Sequence, residues 1–272
     1  MTQRHLDRLL SPASVAVFGA SDKPARVGTT VWRNVSAAGF KGVIAPVHPR
    51  LKELDGLHCH ADAASLPFVP DLAVLCTPPD SIAGLVEQLG ERGTRAVIIV
   101  TAGLTPQQKR ATLSAARPHA LRLLGPNCIG LLRPQLGLNA SFTQANALPG
   151  DLALVSQSGA LLTALLDWAN TERIGFSHLI SLGEHMDVDF GDLLDYLATD
   201  RQTRAILLYV ESITSPRKFM SAARVSARIK PVIVVKAGRG PAGMKAAASH
   251  TGALAGEDIV FDAAIPRAGM LR

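Results

Sequence analysis

The sequence has few aromatic residues and no long apolar run. Phe, Trp and Tyr make up 4% of the 272 residues, whereas the hydrophobic residues as a whole make up 47%. Ala, Val, Leu and Ile therefore supply most of the core, which is typical of helices laid on a parallel sheet. The apolar runs are short and bounded by turn residues, so we expect no segment to cross a membrane.

Cysteine is scarce as well. Cys59, Cys76 and Cys128 are odd in number and show no CxxC spacing. This pattern argues against a disulfide framework and against a zinc site, and we predict no metal site in this chain. The N-terminal residues lack the apolar core of a signal peptide. A reducing, cytoplasmic location is the expectation.

Basic residues outnumber acidic ones, and the formal net charge is +6. An excess of positive charge favours an anionic ligand or partner. The basic residues are scattered, however, and no aromatic platform is interleaved with them. We therefore expect no nucleic-acid partner.

Short β-branched runs alternate with amphipathic stretches along the chain. Strands are predicted at 14–21, 42–49, 72–78, 95–103, 121–127, 152–160, 176–183, 204–212 and 231–238. Helices are predicted between them, for example at 80–91, 159–172, 189–199 and 216–228. Such alternation implies an α/β fold with parallel sheets and helices on both faces.

The alternation is interrupted once, by a stretch rich in Gly, Pro and Asn around residues 129–150. No periodic element is visible there, so we predict a domain boundary. The expected organisation is a first domain over residues 1–130, a linker over 131–150 and a second domain over 151–272.

The first predicted strand ends in GASDKPARVG, which differs from the GxGxxG pattern of dinucleotide-binding loops. The second ends in PVHPRLK and offers His48, Arg50 and Lys52, where a NAD site has an acidic residue. That end of the site suits a phosphate on an adenosine ribose, as in NADP or coenzyme A. The spacing alone is equally compatible with basic side chains that lie on a surface loop and bind no ligand.

Two motifs mark the second half of the chain. SQSGAL places hydroxyls and a glycine where a strand turns into a helix, which suits an anion site but also an ordinary helix cap. SHTGALAG places His250 in a loop of small residues that leaves the imidazole accessible. Taken alone, this histidine is better interpreted as a plain surface residue.

The ordered motifs GASDKPARVG, APVHP, LCTPPD, VTAGL and LLGPNCIGL resemble the CoA-binding domain of the NDP-forming acyl-CoA synthetases. This superfamily includes the succinyl-CoA synthetase α subunit and ADP-forming acetyl-CoA synthetases. The resemblance covers essentially the whole chain and implies a Rossmann-type CoA-binding domain followed by a flavodoxin-like domain. The residues that it assigns to coenzyme A are Gly19, Ser21, Lys23, Pro46, Val47, Thr77, Pro78 and Asn127. We interpret Cys128, beside Asn127, as a buried structural thiol.

The same resemblance assigns the second domain a phosphoryl carrier. SHTGALAG is similar to the phosphohistidine loop, which makes His250 the residue phosphorylated during turnover. Glu211, in YVES, matches the glutamate that holds the histidine ring. Ser156, Ser158 and Gly159 match the helix start that receives the phosphate. The implied reaction converts a carboxylate, CoA and ATP to acyl-CoA, ADP and phosphate through an acyl phosphate.

The sequence shows no GxxxxGK[ST] loop and no segment that suits an ATP-grasp domain. The resemblance places ATP or ADP and Mg on such a domain, either in a β subunit or in a continuation of the chain. We further expect an oligomer and a small carboxylate substrate. A monocarboxylate such as acetate is favoured over succinate, because no basic residue is dedicated to a second carboxylate.

Two other functions are compatible with parts of the pattern. A CoA- or acyl-CoA-sensing regulatory module of a protein lysine acyltransferase shares the domains, but the presence of both His250 and Glu211 argues against it. An NADP-linked oxidoreductase is a weaker alternative, because GxGxxG is absent.

Overall fold

The structure is a computed structural model that describes residues 5–238 and 258–272. Within them, the first sheet has five parallel strands in the order β2-β1-β5-β6-β7. These strands are β1 (Ser14–Phe18), β2 (Val43–Val47), β5 (Leu72–Leu75), β6 (Ala96–Ile99) and β7 (Arg122–Leu124). A small hairpin of β3 (Glu53–Leu54) and β4 (Leu57–His58) follows β2. The helices are α1 (Leu6–Leu10), α2 (Val27–Ala37), α3 (Ile82–Arg92) and α4 (Pro106–Ala116).

The second sheet has six strands in the order β13-β12-β10-β11-β8-β9. Its strands are β8 (Gly130–Arg133), β9 (Leu138–Ser141), β10 (Pro149–Ser156), β11 (Phe176–Ser181), β12 (Ala205–Val210) and β13 (Val232–Lys236). Its helices are α5 (Gly159–Thr171), α6 (Phe190–Thr199), α7 (Pro216–Ile229) and α8 (Asp258–Arg267). The predicted α/β fold with two successive parallel-stranded units is confirmed.

One expectation was wrong: the stretch predicted to lack regular structure contains β8 and β9. These strands pair antiparallel with each other, and β8 pairs antiparallel with β11, so the second sheet is mixed. The strands are short, and β9 buries Asn139 and Ser141, which hydrogen-bond to each other. Buried polar residues that hydrogen-bond to each other give a strand a polar sequence, and such a sequence is easily taken for a loop. Where one domain ends and the next begins stays a prediction.

The two sheets share a hydrophobic core. Val15 and Val17 of β1 belong to the same buried cluster as Leu131 of β8 and Val155 of β10. The side chain of Asn34, on α2, donates hydrogen bonds to the carbonyl oxygens of Ser141 and Thr143, at 2.8 and 2.9 Å. The first sheet is therefore joined directly to the edge of the second.

The parallel strands of each sheet reverse their order at one place. In the first sheet the chain runs from β1 outward to β2 and then returns to β5 on the other side of β1. In the second it runs from β10 to β11 and then returns to β12 on the other side of β10. Ligands of open α/β sheets bind at such points, beyond the carboxyl ends of the strands. Of the described helices, none combines the length and apolarity needed to span a bilayer.

Candidate functional site

A cavity of about 1670 Å³ is lined by residues from the carboxyl ends of both sheets. Several of the residues predicted from the sequence to bind a ligand lie in its wall. Those from the first half of the chain are Gly19, Ser21, Lys23, Val47, Thr77, Pro78 and Asn127. Those from the second half are Gly159 and Glu211. Both reversal points thus open into one space.

The first reversal point requires a glycine at residue 19. Gly19 has a φ of +80°, and a Cβ placed there would lie 2.6 Å from the carbonyl oxygen of Cys76. A Cβ on Gly28 would in turn lie 1.9 Å from the carbonyl oxygen of Gly19. The backbone after β1 therefore passes closely between β5 and the start of α2. This close approach leaves room for a ligand along the backbone.

Ser21 and Lys23 lie in the loop between β1 and α2. The Ser21 hydroxyl accepts a hydrogen bond from the Lys23 backbone N–H at 3.1 Å, and Thr29 Oγ1 donates to the Lys23 carbonyl oxygen at 2.7 Å. These bonds fold the loop over the start of α2, whose first residues Val27 and Gly28 line the cavity. Amides in the first turn of a helix have no intrahelical acceptor and attract anions.

The loop after β2 lies at another part of the cavity wall. Val47, His48 and Arg50 line the cavity. Pro46 does not; it is paired with Val17 inside the sheet, on an edge strand where a proline is tolerated. His48 Nδ1 accepts hydrogen bonds from the backbone N–H groups of Arg50 and Leu51, at 3.2 and 3.3 Å. Its neutral ring therefore carries the proton on Nε2 and can donate to an anion.

Asn127 lines the cavity near a residue that sequence reasoning missed. Its amide nitrogen lies 3.5 Å from Glu184 Oε1, and the Glu184 carboxylate also forms an ion pair with Lys109 of α4. Glu184 lies in the loop after β11 and lines the cavity itself. No motif signalled it, because its proximity to Asn127 depends on how the two sheets pack.

Cys76 and Cys128 line the cavity near Asn127, but their thiols are weakly acidic. Burial raises the pKa of both Cys76 and Cys128 to about 12. Cys128 is 3% exposed, and its sulfur lies 3.4 Å from the Ile99 carbonyl oxygen. A thiol with such a high pKa is a poor nucleophile at neutral pH. This agrees with the interpretation of Cys128 as a structural residue.

The second reversal point is built around the start of α5. Ser156 Oγ accepts a hydrogen bond from the Ser158 N–H at 3.1 Å, and Ser158 Oγ caps the helix by accepting from the Leu161 N–H at 3.3 Å. Both serines are buried and lie outside the cavity wall, whereas Gly159 and Ala160 lie in it. The amides of Gly159 and Ala160 are thus the ones placed to meet an anion, and the two serines shape the turn that presents them.

Glu211 follows β12 and lies in the cavity wall, with 6% of its surface exposed. Its backbone N–H donates to Oε1 of Gln157 at 2.6 Å. Gln157 also lines the cavity and was not singled out from the sequence. His250 lies outside the described residues, so its predicted role stays a prediction. Within the part of the chain that is described, no three or more His, Cys, Asp or Glu side chains are grouped to hold a metal ion.

Comparison with known families agrees with this arrangement. Residues 13–134 match the model of a CoA binding domain, and residues 149–272 match that of a succinyl-CoA ligase like flavodoxin domain. The fold and the site thus define a CoA-binding unit joined to a succinyl-CoA-ligase-like flavodoxin unit.

Individual relatives narrow this class. The chain is 40% identical, over 98% of its length, to the α subunit of acetate–CoA ligase [ADP-forming] I of Pyrococcus furiosus. It is 36% identical, over 98% of its length, to acetate–CoA ligase [ADP-forming] I of Archaeoglobus fulgidus. It superposes with a TM-score of 0.94 and 36% identity on dinucleotide forming acetyl-coenzyme A synthetase 1 of Ca. Korarchaeum cryptofilum, solved with phosphate and ADP.

The chain belongs to the NDP-forming acyl-CoA synthetase superfamily, and the resemblance of its motifs is confirmed. The chain spans 60% of the length of the Pyrococcus subunit, 39% of the Archaeoglobus ligase and 59% of the Korarchaeum chain.

Proposed function

We propose that this chain is the CoA-binding and phosphohistidine-carrying part of an ADP-forming acyl-CoA synthetase. The whole enzyme would convert a carboxylate, CoA and ATP to acyl-CoA, ADP and phosphate. Residues 1–130 would bind CoA, and residues 151–272 would carry the phosphoryl group. The three free thiols fit a cytoplasmic protein.

One observation carries the proposal: a single cavity contains both sets of predicted residues. Gly19, Thr77 and Asn127 lie in its wall together with Gly159 and Glu211. A thioester-forming step needs the CoA thiol and an activated acyl group in the same place. A cavity lined from both sheets supplies that place, and the presence of both His250 and Glu211 favours a catalytic unit over a regulatory module that shares the two domains.

In the proposed reaction a phosphoryl group passes from ATP to His250 and then to the substrate carboxylate, and it is finally released as inorganic phosphate. The His250 ring nitrogen attacks the γ-phosphorus of ATP and releases ADP. The carboxylate oxygen of the substrate then attacks the phosphohistidine, which forms an acyl phosphate and frees the histidine. The CoA thiolate finally attacks the acyl carbon and expels inorganic phosphate. Each step breaks one bond to phosphorus or to phosphate and forms one new bond.

Residues of this chain would have distinct roles in these reaction steps. Glu211 would accept a hydrogen bond from one ring nitrogen of His250 and leave the other nitrogen free to attack phosphorus. The amides of Gly159 and Ala160 would stabilise the charge of the phosphoryl group. The start of α2 and the loop after β2, with its basic residues, would hold the phosphates of CoA.

The nucleotide step requires a partner. We propose that an ATP-grasp domain, in a β subunit or elsewhere in a longer chain, binds ATP or ADP with Mg and docks against this chain in an oligomer. The Korarchaeum synthetase, which was solved with phosphate and ADP and is longer than the part matched here, supports this arrangement.

The acyl substrate is proposed to be a monocarboxylate such as acetate. Lys109 is already paired with Glu184, and burial lowers the pKa of the cavity residue His185 below its usual range. Neither residue therefore offers a net positive charge for a second carboxylate at neutral pH.

Labelling tests the phosphoryl carrier. The chain is mixed with its ATP-grasp partner and ATP labelled at the γ-phosphate, and we expect acid-labile, alkali-stable label on the wild type and none on His250→Ala. Equal labelling of the two proteins would exclude His250. No label on either, with a partner shown to be active, would favour a CoA-sensing module instead.

A further inference from the structure

Gln157 lies between the last residue of β10 and the cap of α5. It is 8% exposed and lines the cavity. Its backbone N–H donates to the carbonyl oxygen of Tyr209 at 3.2 Å, which fixes residue 157 against the end of β12. The residue thus sits where the second sheet reverses its strand order.

The side chain of Gln157 bonds to the two residues that follow β12. Its Oε1 accepts hydrogen bonds from the backbone N–H groups of Glu211 at 2.6 Å and Ser212 at 3.1 Å. Its Nε2 lies 3.4 Å from Ser212 Oγ. The register of β12 with β13 ends at Val210, so these two amides lie beyond the ladder. A buried amide needs an acceptor, and Gln157 supplies one to both.

The chemistry of the amide fixes its orientation. With Oε1 toward the two N–H groups, one acceptor meets two donors. The flipped amide would place its own N–H groups against those donors and leave all of them without an acceptor. The Gln157 amide therefore holds the backbone of Glu211 in only one of its two orientations.

We infer that Gln157 is a positioning residue that fixes the Glu211 backbone and thereby aims the Glu211 carboxylate into the cavity. This inference rests on the proposed function, because the carboxylate matters for catalysis only if it orients the phosphoryl carrier. Gln157 itself need not touch the substrate. Its effect on turnover passes through Glu211.

A double-mutant cycle tests whether Gln157 affects turnover through Glu211. Gln157→Met keeps the length of the side chain and removes the acceptor. In the chain assembled with its ATP-grasp partner, we expect it to lower kcat by about tenfold or more and to leave the KM for CoA within about twofold. In a Glu211→Gln background the same substitution should have little further effect, because the group it positions is already gone.

The control is Gln108→Met, the same chemical change on α4. Gln108 belongs to the capping box of that helix and bonds to Asp80, outside the cavity wall, so kcat should stay unchanged. Melting curves by circular dichroism show whether each variant is folded. If Gln157→Met does not fold, Gln157→Asn replaces it; its amide is one methylene shorter, cannot span the same distance, and should lose a similar factor in kcat.

The outcomes separate this inference from the function on which it rests. Absence of label at His250 in the wild type contradicts the proposed function. Wild-type labelling with equal effects of Gln157→Met in both backgrounds contradicts the positioning role. A Gln157→Asn protein with wild-type kcat contradicts it as well.

Discussion

Nε of Arg122, on β7, lies 3.0 Å from Oδ2 of Asp187, in the loop that leads to α6. The same guanidinium lies 3.0 Å from Asp192, a residue of α6 whose side chain is 2% exposed. Lys218, at the start of α7, reaches Asp192 at 2.6 Å and Asp189 at 2.9 Å. A partly buried ionic cluster, centred on the buried carboxylate of Asp192, therefore joins the first sheet to two helices of the second.

Loss of Arg122 should destabilise the protein strongly. Arg122→Met removes the guanidinium partner of Asp187 and Asp192, although Lys218 still pairs with Asp192. Breaking a fully buried pair costs about 3–5 kcal/mol, so we expect a loss of about 2–4 kcal/mol from this partly buried cluster. Urea unfolding measures the change. The control is Arg204→Met, because Arg204 and Asp151 form an exposed pair at 3.7 Å and such a pair contributes less than about 1 kcal/mol. Equal losses in both variants would contradict the assignment of a buried cluster.

His178 should make the fold sensitive to acid. Burial, with a smaller contribution from the positive charge of Arg133, lowers its pKa to about 3, although Asp200 lies 3.8 Å away. Between pH 6.5 and 3 the His178 ring is protonated in the unfolded chain but stays neutral in the folded protein. The free energy of unfolding then falls by about 1.4 kcal/mol per pH unit from this group as the pH drops.

Urea titrations at pH 7, 6, 5 and 4 measure this effect. His178→Asn should flatten the dependence on pH, whatever it does to stability at pH 7. His58→Asn changes an exposed histidine and should leave the slope as it is in the wild type. An unchanged slope in His178→Asn would show that this ring is not the source of the acid sensitivity.

Gly19→Ala should abolish tight binding of CoA. The added Cβ meets the Cys76 carbonyl oxygen at 2.6 Å, and the residue has a φ of +80°, so the loop must move. Isothermal titration should show a Kd for CoA at least about tenfold weaker, and NADH should not bind to the wild type. Gly39→Ala is the control: it has a φ of +88° but open space around it, so it carries the backbone strain without the clash. Similar CoA affinities in the two variants would contradict a site at the β1 loop.

Glu184 should influence the choice of acid. Glu184→Gln removes the negative charge that neutralises Lys109 and leaves a cation beside Asn127. We expect the ratio of kcat/KM for succinate to that for acetate to rise about tenfold in the assembled enzyme, while acetate remains the preferred acid of the wild type. Glu172→Gln, an exposed change of the same kind, serves as the control. A wild-type preference for succinate would overturn the monocarboxylate proposal.

The sequence predicted those features that depend on local pattern. The parallel strands were visible as β-branched runs, and Glu211 was visible because a charged residue directly follows such a run. Val47 and Thr77 were found in the same way, as residues at strand ends. Cavity-lining residues of this kind can be predicted because they lie at strand ends, which are visible in the sequence.

Features that depend on packing were not predicted. Gln157 gained its importance only when β12 was placed beside β10, which brings two backbone amides to its side chain. Glu184 approaches Asn127 across the two sheets. Ser156 and Ser158 were predicted to belong to the helix start that receives the phosphate, and the structure adds that their hydroxyls bond to the adjacent turn and helix start. These contacts depend on how the strands pack in three dimensions, so the spacing of residues along the sequence does not predict them.

The two hydrogen bonds from Asn34 have a mechanical consequence. They tie the helix whose first turn lines the cavity to the edge strand of the other sheet and the residues after it. Separating α2 from this edge of the second sheet would cost both hydrogen bonds. A ligand that pushed α2 away from this edge would have to break both bonds, so they hold one wall of the cavity in place relative to the second sheet.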